Sequence, residues 1–191
     1  KRNSSFIWVS QSFDALSFFL NIKKINRIEA FDVSHTSGNQ VSASCVVLNR
    51  EGLDKKNYRL MNIKTEVNND YLALSEAIKR RLKNLEKSKL NLPEVILLDG
   101  GKGQLNVVLK DLDEKLIKKI IFLSISKGPN RKEKYDFLHF NKKSFELKKL
   151  KNISKLIQLL RNESHRFAIK QHRKRRNRNF LASNLDDIEG I

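Results

Sequence analysis

The apolar positions of the chain fall into two kinds of run, short continuous or alternating stretches and longer ones spaced at three and four. FDALSFFL at residues 13–20 predicts a short lead-in helix. IEAFDVSH (28–35) reads as a strand ending in Asp32, followed by a Ser/Thr/Gly turn. VSASCVVLN (41–49) and NYRLMNIK (57–64) read as two more strands joined by the turn-rich REGLDKK, which makes a three-stranded meander. Tyr71, Leu74, Ile78, Leu82 and Leu85 then recur at helical spacing, with Asn69 or Asp70 placed to cap the helix.

Pro93 interrupts, and VILLD (95–99) predicts a fourth strand before a second helix over QLNVVLKDL. IIFLSISKG (120–128) predicts a fifth strand, and residues 134–150 a small hairpin. Ile153, Leu156, Leu160 and Phe167 lie near helical spacing in an unbroken stretch over 153–180, so one long helix is expected, basic in its second half. Strand–helix alternation after an antiparallel start predicts an α/β fold, a mixed sheet flanked by helices.

Composition changes the picture in one direction. The 191 residues carry 39 Lys+Arg against 21 Asp+Glu, a formal charge of +18. A domain this basic points to a polyanionic partner, nucleic acid first, with an anionic membrane surface or a codon bias toward Lys and Asn as the bland alternatives. The single Cys45 lies in an apolar run, so it is expected to pack in the core of a cytoplasmic protein rather than form a disulfide. No apolar run is long enough for a membrane span and the start lacks a signal-peptide core. The chain begins without Met and stops at DDIEGI, which reads as a piece of a longer polypeptide.

Candidate chemistry sits at Asp32 and Asp99, two aspartates at apolar strand ends. Adjacent strand ends bring such carboxylates together, and two close like charges need a cation; hard carboxylate oxygens select Mg²⁺ or Mn²⁺. Three glycines, Gly100, Gly101 and Gly103, follow Asp99 and would let a bulky ligand approach the backbone. GGKGQ does not fit the phosphate-loop pattern, so an ATPase is disfavoured. From Arg166 to Arg178 the chain has seven Lys/Arg and no acid, a density of one sign that suits phosphate contacts. His165 and His172 are seven residues apart and share a helix face, a spacing unlike the four-residue step of a helical zinc pair.

IEAFDVSHTSG, VILLDGGKGQL, SISKGPNRK and RNESHRFAIKQHRKRR occur in this order over about residues 28–191. Together they resemble the C-terminal endonuclease half of UvrC, the bacterial nucleotide-excision-repair nuclease. The resemblance implies an RNase H-like fold and a catalytic, metal-binding triad of Asp32, Asp99 and His165. It implies an Mg²⁺ or Mn²⁺ cofactor, damaged double-stranded DNA as substrate, incision on the 5′ side of a lesion, and UvrB as partner. Lys102, Arg166, Lys170, Arg173, Lys174, Arg175 and Arg176 are the expected DNA-binding residues, and no oligomer is expected. The family's further aspartate falls on Asp70, for which helix capping is the favoured role. Residues 1–27 are expected to be a lead-in segment and 28–180 the endonuclease domain. Residues 181–191 (LASNLDDIEGI) resemble the start of a helix-hairpin-helix module. A non-catalytic nucleic-acid-binding module on the same scaffold is the competing reading, and an RNA-cleaving RNase H is disfavoured because a histidine stands where that family has a carboxylate.

Overall fold

The computed structural model describes residues 2–36, 40–64, 70–128 and 136–186. The chain runs α1 (Arg2–Phe19), β1 (Arg27–Thr36), β2 (Gln40–Asn49), β3 (Gly52–Leu53), β4 (Arg59–Asn62), α2 (Asp70–Lys87), β5 (Val95–Asp99) and α3 (Lys102–Asp111). It continues through α4 (Glu114–Lys119), β6 (Ile121–Ser126), β7 (Phe137–Phe140), β8 (Lys143–Glu146) and α5 (Lys151–Asp186). One mixed sheet has the order β3-β2-β1-β5-β6-β7-β8, with β4 also paired to β2. The expected α/β architecture, a mixed sheet flanked by helices, is the one found.

Several boundaries differ from the sequence reading, each for a tertiary reason. The first helix is 18 residues long rather than a short lead-in. Val9, Phe13, Leu16 and Leu20 lie on one stripe and are buried in the same core as the sheet. Fully burying side chains such as Phe13 and Leu16 contributes roughly 2 kcal/mol each, enough to recruit the polar start of the helix. The expected strand 57–64 is shortened to β4, because Asp54 opens a short 3₁₀ turn over Lys55–Asn57 before it. DEKLIKK, not read as an element, forms α4, where Asp113 caps by accepting from the Lys115 N–H at 2.7 Å.

β1 does not end at Asp32. Its antiparallel partner β2 carries it to Thr36, pairing Asp32 with Ser44 and Thr36 with Gln40. Its parallel partner β5 stops earlier, the last pair being Phe31 and Leu98. Asp32 therefore lies at the point where one neighbour leaves and the other continues.

Side chains alternate across β1. Glu29 and His35 meet α2, through Arg81 and Asp70. Asp32 and Ser34 meet α5, through His165 and His172. On the α2 side, Leu74, Ile78, Leu82 and Leu85 are buried as their spacing predicts, whereas Tyr71 is 40% exposed. Arg81 there donates to both carboxylate oxygens of fully buried Glu29, at 2.9 and 3.0 Å, and so fastens α2 to β1. Cys45 is buried against this pair, its thiol 3.3 Å from Glu29, as core packing requires; burial and the Glu29 charge push the thiol pKa up. On the other side Ile153, Leu156, Ile157 and Leu160 of α5 enter the core, and Phe167 packs edge-on against Tyr58.

Among the described residues no helix is long and apolar enough to cross a membrane.

Candidate active site

The β1–β5 register predicts the central feature of the site. Ile28 pairs with Val95 and Phe31 with Leu98, so Asp32 and Asp99 stand at the next matching position of two adjacent parallel strands. Neighbouring strands lie about 4.8 Å apart, and matched side chains share a face. That face is covered by α5. Its His165 brings Nδ1 to 3.8 Å from Asp32 Oδ2, and the imidazole is 70% exposed. One turn earlier, Arg161 Nε lies 3.5 Å from Asp99 Oδ1. His165 thus stands beside Asp32, and Arg161 beside Asp99, at the ends of neighbouring strands.

The carboxylates act on one another. Burial, and then the charge of Asp99, push the pKa of Asp32 from 3.8 to about 6, against the opposing pull of His165, Lys127 and Arg161. A carboxylate raised this far is one whose ionised form lacks sufficient positive compensation. Two carboxylates with an imidazole beside them form a donor set that suits a hard divalent cation. Among the described residues, no three or more His, Cys, Asp or Glu side chains are grouped so that they could hold a metal ion as they stand. The arrangement is open, with Arg161 holding one of the two carboxylates.

Three residues around the site were not singled out from sequence. Arg161 is anchored by Asp136, to which its Nη1 donates at 2.5 Å, and buried Asp136 also accepts from the Gly128 N–H at 3.2 Å. This chain of contacts links the end of β6, the start of β7, α5 and Asp99. Arg161 had a legible signal, since it precedes His165 by four residues and must share its helix face. Asp136 had none. Lys127, which directly follows β6, is exposed and its charge reaches Asp32.

The glycines divide their roles. A Cβ on Gly100 would collide with the Gln104 side chain, whereas Gly101 and Gly103 face open space. Lys102 is exposed at the first position of α3. The expected DNA-binding residues of α5 also divide. Arg166 is held by Glu163 through two bonds of 2.7 Å, and Glu163 accepts a third from Tyr58. Lys170, Arg173 and Lys174 are exposed, and the side chains of Arg175 and Arg176 lie outside the described residues. His172 Nε2 lies 2.7 Å from Ser34 Oγ on β1, so it is turned to the sheet rather than toward a phosphate. Asp70, the first residue of α2, has its Oδ1 2.6 Å from His35 Nε2, and Asn69 lies outside the described residues.

The model of the UvrC RNase H endonuclease domain family matches residues 18–169. UvrABC system protein C of Legionella pneumophila (strain Paris) is 42% identical over 173 residues, which are 88% of this chain and 28% of that protein. The Pseudomonas protegens protein of the same name is 39% identical over 187 residues, 96% of this chain and 31% of that one. The chain spans less than a third of the length of these relatives. Among solved structures, the catalytic domain of human Endonuclease V is similar at 18% identity and a TM-score of 0.40, covering 57% of this chain and 48% of that one.

Proposed function

The chain belongs to the UvrC RNase H endonuclease domain family, and from that premise we propose that it hydrolyses a DNA phosphodiester, making the 5′-side incision of nucleotide excision repair. The observation that carries this reading is the pair Asp32 and Asp99 at matched strand positions, with His165 3.8 Å from Asp32. The proposed substrate is damaged double-stranded DNA, the proposed partner UvrB, and the proposed compartment the cytoplasm. We take residues 28–180 as the nuclease domain and 181–191 as the beginning of a helix-hairpin-helix module.

Asp32, Asp99 and His165 fit Mg²⁺ or Mn²⁺ by charge and donor type. When bound there, such an ion supplies polarisation of the phosphoryl group and a lowered pKa for water. Asp32, with a pKa near 6, is mostly ionised at neutral pH, the form a cation needs. His165 is exposed enough to exchange protons with solvent and lies beside Asp32, so it serves as a third ligand or carries the proton that the attacking water loses. Arg161, braced by buried Asp136, orients Asp99 and tempers the repulsion between the carboxylates. Lys127 and Lys102 put positive charge where the phosphate backbone would pass, and the open space at Gly101 and Gly103 admits it.

The Arg161–Asp99 contact also favours a second reading, a nucleic-acid-binding module without catalysis, because one expected metal ligand already has a cation beside it. Incubation with nicked or bubble DNA and Mn²⁺, with and without chelator, decides between them. Chelator-sensitive nicking is the expected result, and binding without nicking selects the second reading.

A further inference from the structure

Arg161, His165, Ile169 and Arg173 recur at every fourth position of α5. Residues four apart form one ridge of a helix, each about 6 Å further along the axis and turned by about 40°. This ridge starts at the strand ends and leaves them. Arg161 lies beside Asp99 and is largely covered, and His165 lies beside Asp32 with its ring open to solvent. Ile169 and Arg173 come next, and both are exposed. The ridge therefore offers, in order, a braced cation, an imidazole, an apolar side chain and a second cation.

Ile169 is 39% exposed, whereas Ile153, Leu156, Ile157 and Leu160 of the same helix are buried. A lone exposed isoleucine needs no explanation by itself; the neighbours of this one give it a context. A shallow hollow of about 220 Å³ lies against it, lined otherwise by Arg166, Lys170 and Arg173. Arg166 is held by Glu163, so exposed Lys170 and Arg173 present the charge that an outside anion would meet. A phosphate suits these cations but gives the isoleucine nothing. The sugar and base between two phosphates do.

We propose that Ile169 is a specificity residue through which α5 favours distorted DNA, pressing on the sugar and base next to the scissile phosphate while Lys170 and Arg173 hold the phosphates beyond. One ridge step of about 6 Å is close to the distance between successive phosphates of one strand. With a phosphate at Asp32 and His165 and another on Arg173, two steps away, Ile169 falls between them. In an intact duplex the bases are stacked and an aliphatic side chain gains little. Where the stack is already open, the same side chain covers an exposed base step without the cost of unstacking it. The inference rests on the nuclease reading for the placement of the DNA and adds what would make its binding selective.

The test measures affinity in EDTA, so that no incision is needed, for two fluorescein-labelled DNAs: an intact duplex and the same duplex with a short run of mismatches. The protein should bind the mismatched duplex several-fold more tightly. Ile169→Ala should lose most of that preference with intact-duplex affinity unchanged, and Ile169→Leu should keep it. Lys170→Gln should weaken both DNAs equally, as loss of a phosphate contact does. The melting temperature of Ile169→Ala should match the parent, since the side chain is exposed; a clear fall would make it a packing residue and overturn the proposal. An absent preference, or one that survives Ile169→Ala, would overturn it too. Incision with Mn²⁺ is assayed separately: a chain that cuts DNA with its preference unmoved by Ile169→Ala loses this proposal alone. A preference that falls in Ile169→Ala without any cutting by the parent keeps the Ile169 contact and loses the nuclease reading.

Discussion

Asp32 and Asp99 stand at matching positions of two parallel strands, each one residue beyond the last paired residues, Phe31 and Leu98. Both side chains leave the sheet on the face that α5 covers, where His165 and Arg161 meet them. The strands hold the two residues as neighbours, and the charge of Asp99 is one cause of the raised Asp32 pKa. The repulsion is therefore built into the register.

Asp32→Asn and Asp99→Asn should each reduce incision to background, since on the proposed reading either change removes one of two anionic oxygen ligands. Single-turnover cleavage with Mn²⁺ checks both variants, and circular dichroism checks that the fold survives. Cleavage at the unmodified rate would remove that residue from the site.

The pH dependence of stability carries its own signature. Asp32 has a folded pKa of about 6 against 3.8 for an ordinary aspartate, so the folded state binds its proton more tightly. This group's contribution is fully present below pH 3.8 and is lost as pH rises through about 6, the reverse of a salt-bridged aspartate. The loss amounts to roughly 3 kcal/mol. In metal-free protein, Asp32→Asn should therefore gain stability relative to the parent at pH 7.5 and little at pH 4.5. Urea denaturation at both pH values measures the difference, and an equal gain at both would contradict the raised pKa.

Arg161→Ala should be strongly destabilising, by about 3–5 kcal/mol, because it strands the buried Asp136 carboxylate. The double variant with Asp136→Asn should recover part of that loss. Additive losses in thermal denaturation would show that the two residues are not coupled.

The two histidines of α5 should separate by readout. His165→Ala is expected to remove most incision with DNA affinity nearly unchanged. His172 Nε2 lies 2.7 Å from Ser34 Oγ, a contact that points to a structural role. His172→Ala should cost about 1 kcal/mol of stability and leave affinity alone. Chemical denaturation, cleavage and binding of both variants provide the comparison; an inactive but fully stable His172→Ala would reverse the assignment.

Changing Arg173, Lys174, Arg175 and Arg176 together to Gln should weaken DNA binding uniformly across sequences. If all four touch phosphates, the log–log salt slope falls by roughly 3–4, since each duplex contact contributes about 0.9. Arg166→Gln should instead act on stability, because Glu163 already accepts from the Nε and Nη2 edge of that guanidinium. Titrations at several salt concentrations distinguish the two classes.

The sequence alone determined whatever depends on local periodicity and on unmistakable motifs. Leu74, Ile78, Leu82 and Leu85 announce α2 by spacing, VILLD announces β5 by continuous apolarity, and the four ordered motifs point to the family. Only the tertiary structure decided which neighbours each residue would have. β1 outlasts Asp32 because β2 continues to pair with it, and α1 is long because α5 and the sheet bury its apolar stripe. Arg161 bridges Asp99 to Asp136 across 62 residues of chain, counted from position 99 to 161. His172 meets Ser34 at a separation of 138. Pairings of that range arise from how a helix lies across a sheet, and no local pattern of side chains encodes that angle.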